Sequence, residues 1–494
     1  MRATTRPVPA ALLTVTTLLA YGVGPARAQA DPTWFARGAR AIAWQQCPED
    51  DKVQCGTLKV PADWADPYGP ATTLTIARLP ATDPAERIGA LLVNPGGPGG
   101  SAVDFTLNAP TFFSAELRER FDIVGMDPRG VGRSSPVLCS QDLVDAIPSP
   151  LIETERAYAD TVAFNRKLAA DCARRTGAVF AHVDTGSVVS DMDAVRSALG
   201  EDEISFYGAS YGTLLGTEYA RRYPRRLRAL VLDSIVDHSA GVDAFLTQET
   251  DAAQDSFEQF VAWCARDLRC VVRGRDIPKL WAGLVARARA GTLTDPYDPV
   301  HKLRLFDLLG AAFAAFYDPQ WYSFGYYLRD ATAQALGRSA RATDDIGEHS
   351  FPAVFCSDWS LPVAGFADYR ARLRALAARA PQMLASPLAV SAVAGCLGWP
   401  VAPADPQRDL APATAPVLLV NGRHDPATAY AWARHVAAQL GPEATLVTYE
   451  GWGHVAYRHT KCVRDLVDRF LIALVRPAAG ATCPAIDPEP FGVG

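Results

Sequence analysis

The chain of 494 residues has no Cys-x-x-Cys pair, no glycine-rich loop running into Lys-Ser or Lys-Thr, and no tract of clustered Lys and Arg. The first absence removes the usual spacing of a zinc or thiol-redox site. The second removes a phosphate cradle of the P-loop kind. The third, with a net charge of only −6, leaves nothing to hold a nucleic acid or a polybasic membrane patch. No run is long and apolar enough to span a bilayer comfortably, no internal repeat occurs, and no metal or organic cofactor is implied. With hydrophobic residues at 49% and charged residues at 21%, what remains is the profile of a soluble globular protein. Its length suits one large α/β domain with an insertion, or two or three ordinary domains.

What is present begins with an export signal. Arg2 and Arg6 precede an apolar stretch over 10–24, and small-x-small patterns follow at Ala26-Arg27-Ala28 and Ala28-Gln29-Ala30. This reads as a cleavable signal peptide over 1–30, cut after Ala28 or Ala30. It lacks the Arg-Arg pair of a twin-arginine signal and a Cys for a lipid anchor. The expectation is a secreted protein with no stable membrane insertion after cleavage. The 10 cysteines, an even number, agree with an oxidising compartment. Short loops close at the least entropic cost, so the simplest pairing joins sequence neighbours: Cys47–Cys55, Cys139–Cys172, Cys264–Cys270, Cys356–Cys396 and Cys462–Cys483.

Along the chain, 72–79 alternates like a strand, and 90–94 and 121–126 are short apolar runs that end in Gly/Pro-rich turns. They read as buried parallel strands with loops at their C-terminal ends. Residues 188–199 have helical spacing and stop at Gly200. A strand over 204–207, a helix over 213–222 and a strand over 227–235 follow. From about 237 to 406 the rhythm changes to aromatic residues at helical spacings. Beyond 411 the earlier rhythm returns, with strands over 417–420 and 444–449 and helices over 427–440 and 462–475. The organisation expected is an α/β core in two parts, 31–238 and 407–494, interrupted by a mostly helical lid over 239–406.

Chemistry is signalled by Gly208-Ala209-Ser210-Tyr211-Gly212, placed between a predicted strand and a predicted helix. That is the context of a nucleophile elbow, in which small residues let a serine sit on a tight turn with its hydroxyl exposed. The fold class this points to is the α/β-hydrolase fold, a mostly parallel sheet flanked by helices. Serine needs a base oriented by an acid, in the chain order Ser, acid, His. His454, in Gly451-Trp452-Gly453-His454 after the last strand, is the favoured base over His424 and His459. Asp425 follows the strand over 417–420 and is the favoured acid, with Asp233 at the end of the preceding strand as the alternative. Thr428 stands three residues on, where it can support Asp425. In Asn94-Pro95-Gly96-Gly97-Pro98-Gly99-Gly100-Ser101, glycines let a backbone amide point inward. The amide of Gly97, or of its neighbour Gly96, would form an oxyanion hole with that of Tyr211.

These blocks, with FDIVGMDPRGVGRSSPVLC over 121–139, the segments 191–200 and 230–237, the surroundings of Cys356 and the stretch 421–428, carry a resemblance. The chain resembles the secreted actinobacterial tripeptidyl aminopeptidases, relatives of the proline iminopeptidases. The resemblance runs from about Cys47 to Cys483 and is weakest in the insertion. It implies Ser210, Asp425 and His454 as the triad and Gly97 and Tyr211 as the oxyanion hole. It further implies a peptide substrate cut from a free N-terminus through an acyl-enzyme. Proline iminopeptidases carry His where this chain has Asn94, which argues against a strict prolyl preference. The substrate's α-ammonium needs a carboxylate, for which Asp358 is the candidate, with Trp359 as an apolar wall. A secreted carboxylesterase or lipase with the same triad is the alternative, and a non-catalytic binding protein on this fold is a third reading.

Overall fold

The computed structural model describes residues 42–298, 302–333 and 346–490. The segment read as an export signal lies outside them. The strands in chain order are β1 (Gln45–Gln46), β2 (Gln54–Pro61), β3 (Ala71–Leu79), β4 (Gly89–Asn94), β5 (Phe121–Met126), β6 (Leu138–Ser140), β7 (Ile204–Ala209), β8 (Leu227–Asp233), β9 (Ile346–Glu348), β10 (Val417–His424), β11 (Ala444–Trp452) and β12 (Thr482–Cys483). Ten of them form one sheet in the order β1-β2-β3-β5-β4-β7-β8-β10-β11-β12, while β6 and β9 pair separately. From β5 to β12 every neighbouring pair is parallel, and β1 to β3 extend the sheet antiparallel. The central strands β4, β5 and β7 are buried along their whole length. Their continuous burial reflects helices packed on both faces of the sheet.

Helix stops follow local chemistry. The helix Thr185–Leu199 is capped by the Asp184 side chain and ends at Gly200, whose φ of 79° and ψ of 17° are the left-handed geometry of a glycine C-cap. Between β8 and β10 the chain forms seven helices among the described residues: Val242–Arg266, Ile277–Arg289, Leu305–Tyr317, Trp321–Ala333, Phe351–Asp358, Phe366–Arg379 and Pro387–Cys396. Their aromatic core includes Phe257, Phe260, Trp263, Trp281, Phe316, Trp321 and Phe324, and it runs on without a break to Ala427 and Trp452 of the α/β core. The helical layer is therefore joined to the loops at the C-terminal ends of β10 and β11.

Two motifs tie down the loops that follow β4 and β5. Arg129, fully buried, makes a bidentate pair with Asp191 at 2.6 and 2.7 Å and donates to the Pro61 carbonyl. It fastens the turn after β5 to the helix Thr185–Leu199. Asp127 accepts from the Ser101 hydroxyl and from the amides of Val103 and Arg133, and so holds the end of the glycine-rich loop. Five disulfides pair each cysteine with its neighbour in sequence order: Cys47–Cys55, Cys139–Cys172, Cys264–Cys270, Cys356–Cys396 and Cys462–Cys483. Among the described residues no helix is long and apolar enough to cross a membrane.

Candidate active site

The turn between β7 and the helix Gly212–Arg222 sets Ser210 at a φ of 55°, a left-handed conformation that costs a non-glycine residue on the order of 1 kcal/mol or more. The strain is held by bonds on both sides. Ser210 N donates to the Asp233 carbonyl at 2.9 Å, and its own carbonyl accepts from Thr213 N and Oγ1. The flanking glycines are needed for closeness. A Cβ at Gly208 would stand 2.4 Å from the Gly212 carbonyl oxygen, and one at Gly212 would stand 2.7 Å from that of Asn94. The helix that follows directs its N-terminus at the serine and favours negative charge there.

The glycine-rich loop meets the elbow face to face. Gly96, at a φ of 87°, lies so near that a Cβ would come 2.5 Å from the Ala209 oxygen and 2.7 Å from Tyr211 N. Its amide donates to Asn94 Oδ1 at 2.9 Å and is thereby engaged. Gly97 is the glycine that lines the cavity with Ser210 and Tyr211.

His454 and Asp425 are both fully buried, and Nδ1 of the imidazole lies 2.9 and 3.0 Å from the two carboxylate oxygens. Asp425 also accepts from Ala427 N, Thr428 N, Thr428 Oγ1 and Ser234 Oγ at 2.7–3.0 Å. Burial pushes its pKa up, yet the adjacent His454 and these hydrogen bonds outweigh burial and hold it below the ordinary carboxylate value. Nε2, the nitrogen turned away from Asp425, has no hydrogen-bond partner among the described residues.

Asp233 is separate from this pair. Its oxygens accept from Tyr207 Oη, Ala456 N and Tyr457 N at 2.8–2.9 Å, so it clasps the turn that follows His454. Burial, only partly offset by these bonds, pushes it up to about 6. His424 binds Asp255 at 2.6 Å. His459 Nε2 lies 3.1 Å from the His454 carbonyl, and burial pushes it down to about 4. Neither is joined to Asp425 by a hydrogen bond.

Asp358, the sequence candidate for the substrate's ammonium, is not on the cavity wall beside Ser210. It is completely buried at the end of the helix Phe351–Asp358. Its oxygens are taken by Thr185 N, Thr185 Oγ1 and Tyr211 Oη at 2.7–2.8 Å. Its place is to fix Tyr211 behind the elbow. Trp359 does line the cavity beside Ser210, with Phe245, Phe351, Phe355 and Trp432. The one carboxylate on that wall is Glu249, whose Oε2 accepts from Ser386 Oγ at 3.0 Å and whose pKa burial raises well above the ordinary value. The cavity measures about 30 Å³, room for about two waters.

Three residues at this site escaped the sequence reading. Ser234 donates to Asp425 and accepts from Val455 N at 2.8 Å, linking the ends of β8, β10 and β11. Tyr317 brings its ring to 4.4 Å from that of His454 and its hydroxyl to Ser210. For Glu249 a signal existed: Phe245, Glu249, Ala253 and Phe257 recur every fourth residue, so the carboxylate sits on the buried face of its helix.

Residues 89–303 match the family described as alpha/beta hydrolase fold, and residues 381–483 match the family described as TAP-like protein. The chain is 32% identical to the serine protease Hip1 of Mycobacterium tuberculosis over 87% of each chain. It is 30% identical to a tripeptidyl aminopeptidase of Streptomyces coelicolor, over 92% of this chain and 88% of that one. Carboxylesterase B of M. tuberculosis is 33% identical, over 87% and 86% respectively. A solved proline iminopeptidase of Mycobacterium smegmatis aligns at 18% identity and a TM-score of 0.37, covering 84% of this chain and 97% of that one.

Proposed function

The chain belongs to the tripeptidyl-aminopeptidase-like family of serine α/β-hydrolases and is a serine hydrolase; from that premise we propose that it is an exported exopeptidase acting on peptides with a free N-terminus. Ser210 attacks the carbonyl carbon while His454 Nε2 takes its proton. Asp425 fixes the imidazole tautomer and stabilises the imidazolium. The oxyanion develops against the amides of Tyr211 and Gly97. His454 then protonates the leaving amine, and water releases the acyl-enzyme by the same steps in reverse. The two-point contact between buried His454 and Asp425, together with Ser210 held strained on its elbow, carries this assignment. Five disulfides support export, and the helical layer between β8 and β10 serves as the lid.

The exopeptidase reading leans on Glu249, the carboxylate set in an otherwise aromatic and aliphatic wall beside Ser210. The Glu249 carboxylate there pairs with an arriving α-ammonium, and the resulting ion pair offsets the cost of burying either charge alone. The test compares a chromogenic tripeptide amide with its N-acetyl form and with short acyl esters. The free peptide should be cut at least roughly tenfold faster than the blocked one, the effect of an unpaired buried charge. Glu249→Gln should narrow that gap by slowing the free peptide alone. Equal rates on both peptides, or turnover of esters only, would instead support a carboxylesterase, a reading favoured by the likeness to carboxylesterase B. Ser210→Ala should abolish both turnover and fluorophosphonate labelling. Labelling that persists in a folded Ser210→Ala protein rules out this nucleophile.

A further inference from the structure

The helix Leu305–Tyr317 ends against the two residues to which the chemistry is assigned. His454 N donates to the Tyr317 carbonyl at 2.8 Å. The two rings lie 4.4 Å apart, inclined at 46°, and Ser210 stands close enough to the Tyr317 hydroxyl to act on its titration. The next two residues fasten the contact. Asp318 pairs with Arg458 at 3.3 Å, and Pro319 packs so closely on Gly453 that a Cβ there would come 2.7 Å from its Cδ. Tyr317 is thus held in place by its backbone, its ring and its neighbours, leaving its hydroxyl to address the nucleophile. Burial, with Asp425 nearby, pushes that hydroxyl up to about 12, so it keeps its proton at neutral pH.

The layout assigns Tyr317 to one side of the reaction. The cavity wall includes Ser210, Gly97 and Tyr211. An acyl group held there sets its oxyanion against Gly97 and Tyr211, which leaves the departing group on the side of His454, the residue that must protonate it. On that side an amide differs from an ester. The leaving nitrogen of the tetrahedral intermediate is pyramidal, and its lone pair must point at Nε2 to receive the proton. Its N–H then points elsewhere and, in a site shielded from water, needs an acceptor. An ester oxygen carries no such hydrogen.

We propose that Tyr317 is a catalytic residue for amide substrates, its Oη accepting the N–H of the scissile nitrogen and so holding the lone pair toward His454. The inference rests on the peptidase reading above. In the step itself the proton on Nε2 passes to nitrogen, and the C–N bond breaks with its electron pair going to nitrogen. The C=O bond re-forms from the oxyanion, and Tyr317 keeps its own proton throughout.

Tyr317→Phe preserves the ring against His454 and removes the acceptor. The measurement is the ratio of kcat/KM for a tripeptide anilide to that for a p-nitrophenyl ester, each rate expressed per site titrated with a fluorophosphonate. The ratio should fall roughly tenfold or more, the worth of one hydrogen bond made in the transition state. A ratio unchanged within about twofold overturns the proposal whatever the absolute rates. A second measurement uses the unaltered enzyme and an anilide methylated on the scissile nitrogen. Methylation should slow cleavage strongly, and a methylated substrate cut as fast as its parent overturns the proposal independently. If the unaltered enzyme turns over esters but no anilide, the peptidase reading itself fails and the role of Tyr317 falls with it.

Discussion

Asp233 and Asp425 are both buried carboxylates at the C-terminal edge of the same sheet, 0% and 1% exposed, and their partners separate them. Asp425 meets an imidazole, while Asp233 meets two backbone amides and a phenol. Asp425→Asn is expected to lower turnover by up to roughly 10⁴-fold through the wrong imidazole tautomer, and Asp233→Asn far less. Both variants are to be measured with one small ester; a larger loss at position 233 reverses the assignment. Asp233 makes a second prediction through pH. Its folded pKa of about 6 lies above the ordinary 3.8, so the folded chain binds the proton more tightly than the unfolded one. The stability it contributes is fully present below about pH 4 and is lost as pH rises through about 6, on the order of 2–3 kcal/mol in all. The melting temperature of the unaltered protein relative to Asp233→Asn should therefore drop between pH 4 and 7. A constant difference across that range contradicts the assignment. Sequence alone left the two aspartates as alternatives because both follow a strand. The engagement of Asp358 is hidden from sequence for a related reason: its partner Thr185 lies 173 residues away, and no local pattern announces that pairing.

At the scale of elements, the elbow, the glycine-rich loop and the loop bearing His454 are each legible from a short motif, because each requires small residues at fixed places. Gly96 is the sharpest case. It combines a φ of 87° with a neighbour 2.5 Å from where a Cβ would stand. Gly96→Ala should slow fluorophosphonate labelling of Ser210 by at least roughly tenfold, since the loop must shift away from the elbow. An unchanged labelling rate would mean that the loop is not held in this geometry for catalysis. Periodicity also found the core strands and the helix ended by Gly200, with boundaries moved by a few residues. It missed the antiparallel pair of β6 with β9, whose three-residue strands are too short to display alternation. It also could not foresee how the helix Leu305–Tyr317 docks on the His454 loop, because that contact depends on the angle between two layers that no periodicity encodes.

For the whole molecule, the cavity beside Ser210 is walled largely by helices of the insertion, so the placement of those helices shapes what it can hold. The disulfide Cys356–Cys396 bears directly on that placement. It joins the helix Phe351–Asp358 to the helix Pro387–Cys396, and Phe351, Phe355, Leu388 and Ala392 of these helices line the cavity. It also spans 40 residues of sequence, whereas Cys264–Cys270 spans 6. If a disulfide stabilises by restricting the unfolded chain, the longer loop contributes about 4 kcal/mol and the shorter about 2. Replacing both cysteines of each bridge by serine should therefore lower the melting temperature more for Cys356–Cys396 than for Cys264–Cys270. The first replacement should also raise KM for the free tripeptide amide, because the two helices then hold the aromatic wall less firmly. The second should leave KM near its original value, since neither Cys264 nor Cys270 borders the cavity. A reversed order of melting temperatures would argue that native packing, not the unfolded chain, sets the worth of these bridges. An unchanged KM in the first variant would show that the lid wall keeps its shape without its covalent tie.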